Sequence, residues 1–191
     1  MPRISAPTVV EHRALQREAL VVAASDELLE NGLAAVTPAS VGKRAGLARS
    51  TIYEYFPSAS DLVAEVALRS FQQWGEELSA AMAGAPSGIE RLAAYITTTL
   101  RLVAEGKYDI VHALHGAVFS PEKIARFEEQ HTELVQPLRD VIAELGLSHP
   151  EVRVELIQGV VDAGVKQVAA GRDVEKVSRL SVELVTQGFL N

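Results

Sequence analysis

Residues 37–57 read Thr37-Pro38-Ala39-Ser40-Val41-Gly42-Lys43-Arg44-Ala45-Gly46-Leu47-Ala48-Arg49-Ser50-Thr51-Ile52-Tyr53-Glu54-Tyr55-Phe56-Pro57, and their punctuation predicts two short helices around a glycine turn. Proline suits a first helical position because the N–H it lacks would have had no partner there. Gly46, within Ala45-Gly46-Leu47, suits the left-handed backbone that ends a helix tightly. A second helix then runs from about Ala48 to Tyr55 until Pro57 closes it. Two short helices joined in this way match the helix-turn-helix, whose second helix enters the major groove of DNA while the first crosses the backbone. On the second helix Ile52 and Phe56, one turn apart, face the core. Arg49, Ser50, Tyr53 and Glu54 then point outward, and such a face suits DNA. Arginine bonds guanine with two donors, and hydroxyl and phenol groups reach phosphates or base edges.

The rest of the chain is equally helical, with apolar periodicity broken by caps, Gly and Pro and no convincing alternation of strand residues. Upstream, Thr8 to Glu11 reads as a capping box opening a helix that Gly32 stops after Asn31, with Leu15, Ala19, Val22 and Ala23 on its inner face. Downstream, Ser58-Ala59-Ser60-Asp61 caps a long helix to about Ala83, and Ser87-Gly88-Ile89-Glu90 caps another to Gly106. A shorter segment covers about Tyr108 to Phe119. Ser120-Pro121 opens a helix ending near Gly146, Ser148 to Glu151 one reaching Gly171, and Asp173 a last one ending near Phe189. The expected architecture is all-α, with three helices in residues 1–57 and six in 58–191.

At this point the chain resembles the tetracycline-repressor (TetR) family. The likeness runs from about Arg17 to Leu62, through Ala19 to Ala24, Glu30-Asn31-Gly32, Ala35-Val36-Thr37, Lys43 to Leu47 and Ser50 to Ser58. It implies a DNA-binding domain at 1–57 and a ligand-binding and dimerisation domain at 58–191. It also implies that a homodimer binds a double-stranded DNA operator and releases it when a small-molecule effector binds. Carried over by residue, it places Thr37 against a phosphate and matches Lys43 or Arg44 to a backbone contact. Arg49, Ser50 and Tyr53 match base-edge or phosphate positions, and Thr51 and Tyr55 match phosphate anchors. Tyr55 could equally be a packing aromatic. The chain departs from the family at Ala48, which gives no side-chain cap, and at Ser60, where a phosphate-binding lysine is common. It departs also at Glu54, an acid that suits only the cytosine amino group or a neighbouring arginine.

For an effector pocket the candidates are Phe71, Trp74, Tyr95, His112, His115 and Phe119, which come from three predicted helices and combine aromatic surface with polar tips. Gln158 and Asp162, one turn apart, add hydrogen bonds. Gly159 and Ala163 would allow close helix approach, and Val177, Leu180, Leu184 and Phe189 form an apolar stripe. Pairing of the last two helices with a second subunit explains this pattern, as does packing within one subunit. His112 and His115 stand three apart, as do Glu128 and His131. A di-iron bundle needs two Glu-x-x-His pairs and two further carboxylates, so no metal or other cofactor is assigned.

Composition sets the outer bounds. Hydrophobic residues at 48% and charged residues at 23% describe a chain that folds. No apolar run approaches a membrane span or a signal peptide, which predicts a cytoplasmic protein without a membrane partner. With Cys 0, disulfides and thiolate chemistry are excluded. The net charge of −7 lies wholly beyond residue 57, because six basic residues before it (Arg3, Arg13, Arg17, Lys43, Arg44, Arg49) balance six acidic ones. No nucleophile elbow, P-loop, His-Glu-x-x-His or dinucleotide fingerprint occurs, so no enzyme is predicted. The alternative from another class is a helical small-molecule carrier or an enzyme that binds no DNA.

Overall fold

The computed structural model describes residues 9–107, 109–114 and 117–188. Among them are α1 (Val9–Asn31), α2 (Pro38–Ala45), α3 (Arg49–Tyr55), α4 (Ala59–Ala83), α5 (Gly88–Ala104), α6 (Asp109–Ala113), α7 (Pro121–Glu144), α8 (Pro150–Ala169) and α9 (Val174–Gly188). No strand occurs among the described residues, so the all-α expectation holds. Helix α6 is shorter than its predicted span. The Leu114 N–H closes its last turn on the Ile110 carbonyl, and the Ala117 N–H then bonds only three residues back, to Leu114. A 3-10 turn at Leu33–Ala35, not expected from the sequence, links α1 to α2.

The chain forms two compact units that are not contiguous in sequence: residues 1–69 with 110–123, and residues 70–109 with 124–191. In the first, Leu20, Ala24 and Leu28 of α1 meet Val41, Ile52, Phe56, Leu62 and Val66 in one core. Full burial of a side chain such as Ile52 contributes about 1.5–3 kcal/mol. The predicted inner face of α1 is displaced: Leu15 is 61% and Val22 47% exposed, and Ala19 is exposed too, whereas Leu20, Val21, Ala23 and Ala24 are buried. Residues 19–24 are apolar without a break, so spacing alone cannot choose which side turns inward. Ile110, Ala113, Leu114 and Phe119 pack against the same core from the returning segment.

The second unit is built on α5. Leu92, Tyr95, Ile96 and Leu100 pack with Leu138 and Ile142 of α7, Ile157 and Val161 of α8, and Val185 of α9. Gly164 belongs to this packing, since a Cβ there would lie 2.9 Å from Leu100 Cδ2 and 3.3 Å from Ser181 Oγ.

The helix-turn-helix itself rests on Gly42. Gly46 takes φ 69, and the Leu47 N–H returns 2.9 Å to the Gly42 carbonyl, a closure that folds the turn back over α2. A Cβ on Gly42 would sit 2.8 Å from the Leu47 carbonyl oxygen and 3.0 Å from Ile52 Cδ1. The first is backbone and cannot swing aside. Gly42→Ala is therefore expected to destabilise the protein by about 1–3 kcal/mol despite its better helix propensity, as a lowered denaturant midpoint.

Candidate functional site

Thr37 is the N-cap of α2, and its hydroxyl accepts from the Ser40 N–H (3.1 Å) while the Thr37 N–H donates to Ser40 Oγ (3.0 Å). Ser40 Oγ also donates to the Ala35 carbonyl (2.6 Å), which ties the 3-10 turn to the start of α2. The reciprocal box uses two groups that could otherwise have met a phosphate. It also fixes the exposed end of α2, where the Ala39 N–H, as the second of the helix, has no acceptor within it.

Helix α3 divides as its spacing predicts. Ile52 is 1% and Phe56 3% exposed, whereas Arg49, Ser50, Tyr53 and Glu54 face solvent and Thr51 is half-buried. Ala48 is the N-cap and makes no side-chain cap bond. The Arg49 guanidinium donates to the Tyr53 hydroxyl (3.3 Å) and lies 5.8 Å from its ring centroid, so the two side chains are ordered together before any partner arrives. That hydrogen bond holds the Arg49 pKa above its ordinary value. Tyr55 is half-buried, and its hydroxyl donates to Gln16 Oε1 at 2.7 Å. The ring is thus a strut between α1 and α3 whose oxygen can still accept a bond.

Lys43 and Arg44 separate. Arg44 turns toward α1, bonding Glu30 and lying 3.3 Å from Glu27, and its hydrogen bond holds the Glu30 carboxyl below the usual range. Lys43 is exposed and forms no ion pair with a described carboxylate. Ser60 accepts from Lys123 Nζ (3.3 Å) and donates to the Val118 carbonyl (3.3 Å). Lys123 also pairs with Asp61 at 2.7 Å and, with Ser58, holds that carboxyl below its ordinary pKa.

The effector candidates are only partly brought together. Gln158 Nε2 donates to the Tyr95 hydroxyl at 2.7 Å. Burial pushes the Tyr95 phenol up, the Gln158 bond works against this, and the nearby Asp162 charge adds to it. Trp74 packs half-buried against the same core. Phe71 instead meets Phe127, with ring centroids 6.4 Å apart, along a groove of about 450 Å³ that Gly75, Glu133 and Leu134 also line. Phe119 packs on the core of the first unit. His115 and the side chain of His112 lie outside the described residues, as does Phe189. Among the described residues no group of three or more acidic or histidine side chains could hold a metal, and no described helix is long and apolar enough to cross a membrane.

Helices α8 and α9 flank a groove of about 840 Å³ lined by Leu156, Gly159, Ala163, Leu180 and Leu184 among others. Leu156 is 50% exposed, Leu180 and Leu184 are each 56%, and a Cβ on Gly159 would meet nothing within 4 Å. The small residues that face outward, Gly159 and Ala163, thus differ from Gly164, which serves packing within the subunit.

Sequence reasoning missed Gly42, Ser40 and the pairing of Arg44. The first left a trace, because a glycine inside a short helix signals close backbone approach. Ser40 left one too, since it stands three residues after Thr37, whereas the Arg44 pairing is long-range.

Residues 20–66 match the family described as bacterial regulatory proteins, tetR family. An uncharacterized HTH-type transcriptional regulator of Mycobacterium tuberculosis is 38% identical over 73 residues, which is 36% of this chain and 36% of that one. The chain therefore aligns with about a third of that relative's length. YdeS of Bacillus subtilis, another uncharacterized HTH-type regulator, is 28% identical over 142 residues, 73% of this chain and 68% of its own. Among solved structures, the transcriptional regulator FadR from Bacillus subtilis in complex with stearoyl-CoA superposes with a TM-score of 0.75 at 23% identity, over 90% of this chain and 98% of that chain. That last likeness is one of fold.

Tyr55→Phe removes the hydroxyl bond between α3 and α1. The expected loss is about 1 kcal/mol of unfolding free energy, read by urea denaturation.

Proposed function

We propose that the chain, whose residues 20–66 match the tetR family of bacterial regulatory proteins, is a DNA-binding repressor released from a palindromic operator by a small-molecule inducer. The carrying observation is the exposed face of α3, where Arg49, Ser50 and Tyr53 project together beyond the buried Ile52 and Phe56. Arg49 reads guanine, Ser50 and Tyr53 reach base edges or phosphates, and Lys43 with the start of α2 holds the backbone. We assign DNA reading to residues 1–57 and ligand response and dimerisation to 58–191.

The open α8/α9 groove supports a homodimer. Exposed leucines around a surface glycine are what a four-helix contact across a two-fold axis requires. Two recognition helices then stand about one DNA turn apart, roughly 34–36 Å, and read the two half-sites. Helix α4 gives Ala59–Arg69 to one unit and Ser70–Ala83 to the other, so displacement of its second half by a ligand is the route of release. Coupling of this kind is typically worth about 1–3 kcal/mol. Trp74, Tyr95 and Gln158 offer the mixed apolar and hydrogen-bonding lining of an effector site. Since the FadR structure holds stearoyl-CoA, an acyl thioester is the first effector class to test.

Genomic fragments captured by the purified protein should share a palindrome, and acyl-CoA addition should release them. Capture of no preferred sequence overturns this reading and favours a carrier. Arg49→Ala should weaken binding to the captured fragment at least about fivefold without altering the melting temperature, since one good base contact is worth about 1–3 kcal/mol. Leu184→Glu should shift sedimentation toward a single chain and weaken operator binding with it. A variant that stays dimeric removes the α8/α9 interface.

A further inference from the structure

The cations of the first unit sort by whether a carboxylate answers them. Arg17 pairs with Glu65 at 2.7 Å, Arg44 with Glu27 and Glu30, Arg69 with Glu18, and Lys123 with Asp61. Arg13 of α1, Lys43 of α2 and Arg49 of α3 form no ion pair with a described carboxylate, and all three are exposed. Lys43 and Arg49 belong to the surface described above. Arg13 does not, and no described carboxylate pairs with it.

Its position is nonetheless fixed from that surface. The Arg13 guanidinium lies 5.5 Å from the Tyr55 ring centroid, and the Tyr55 hydroxyl is bonded to Gln16, one turn further along α1. Tyr55 stands one turn beyond Thr51 and two residues after Tyr53, so the stack holds Arg13 at the C-terminal edge of α3. A guanidinium stacked on an aromatic face keeps the donors at its edge, and the stack removes part of the entropy a new bond would cost. Arg17 makes the informative contrast. It too stacks on an aromatic, 5.2 Å from the Phe56 ring centroid, but Glu65 already holds its charge.

We propose that Arg13 is a further DNA-contacting residue, which donates to a backbone phosphate beside the groove that α3 reads. The inference rests on the DNA-binding function proposed above and extends the contact surface from two helices to three. A phosphate contact carries no sequence information but releases a counterion, so it shows in the salt dependence of binding.

The test uses the full-length protein and a fluorescein-labelled duplex of arbitrary sequence, titrated at a series of KCl concentrations. In Arg13→Gln the slope of log affinity against log salt should fall in magnitude by about 0.9 per protomer, close to 1.8 for a dimer. Arg13→Lys, which keeps the charge, should restore most of that slope, and Arg17→Gln should keep the wild-type value. Folding is followed in parallel by thermal melting. A folded Arg13→Gln protein with the wild-type slope overturns the proposal, as does an Arg13→Lys protein that loses as much slope as Arg13→Gln. Wild-type protein that binds no duplex overturns the proposed function and this inference together.

Discussion

The geometry of the N-terminal unit depends on one close approach, that of the Leu47 carbonyl to the bare α-carbon of Gly42. Because no side chain separates them, the turn after Ala45 folds flat against α2 and delivers α3 with Ile52 pointing into the core. Every outward residue of α3 follows from that anchor. With Ile52 and Phe56 buried, Ser50, Tyr53 and Glu54 turn to solvent, and Arg49 is exposed at the open first position of the helix.

Electrostatics then refine what sterics allow. In this unit Arg17, Arg44, Arg69 and Lys123 are spent on carboxylates of α1 and α4, where exposed pairs contribute little stability each. Their larger effect is on the field. By neutralising Arg17, Arg44 and Arg69 in place, the acids leave positive charge concentrated on Arg13, Lys43 and Arg49. A chain with net charge −7 can present a cationic surface in this way without carrying an excess of basic residues.

Much of this was legible in the sequence because it is written in local chemistry. Thr37-Pro38, Gly46 and Pro57 bound the two motif helices to within a residue of where they lie. Proline and glycine act on their own backbone and need no distant partner to be read. The orientation of α1 was not legible, since residues 19–24 are apolar on every side. Nor was the destination of Phe119, which turns to the core of the first unit. An aromatic declares that it will be buried, but not in which core. The Arg44 pairing spans 14 residues and two helices, and no spacing rule reaches that far. For the candidate pocket the sequence named side chains that mix aromatic surface with polar tips, and among the described residues Gln158 bonds Tyr95.

The interrupted composition of the first unit bears on how the protein is made. Its core is lined by residues up to Val66 and then again by Ile110, Ala113, Leu114 and Phe119. During synthesis the first 69 residues emerge before the segment that covers part of their apolar surface exists. Until Lys123 can reach Asp61, that surface stays open to solvent and to other nascent chains. A fragment cut after α4 would keep this exposure permanently, so the first unit needs the later part of the polypeptide to complete its core.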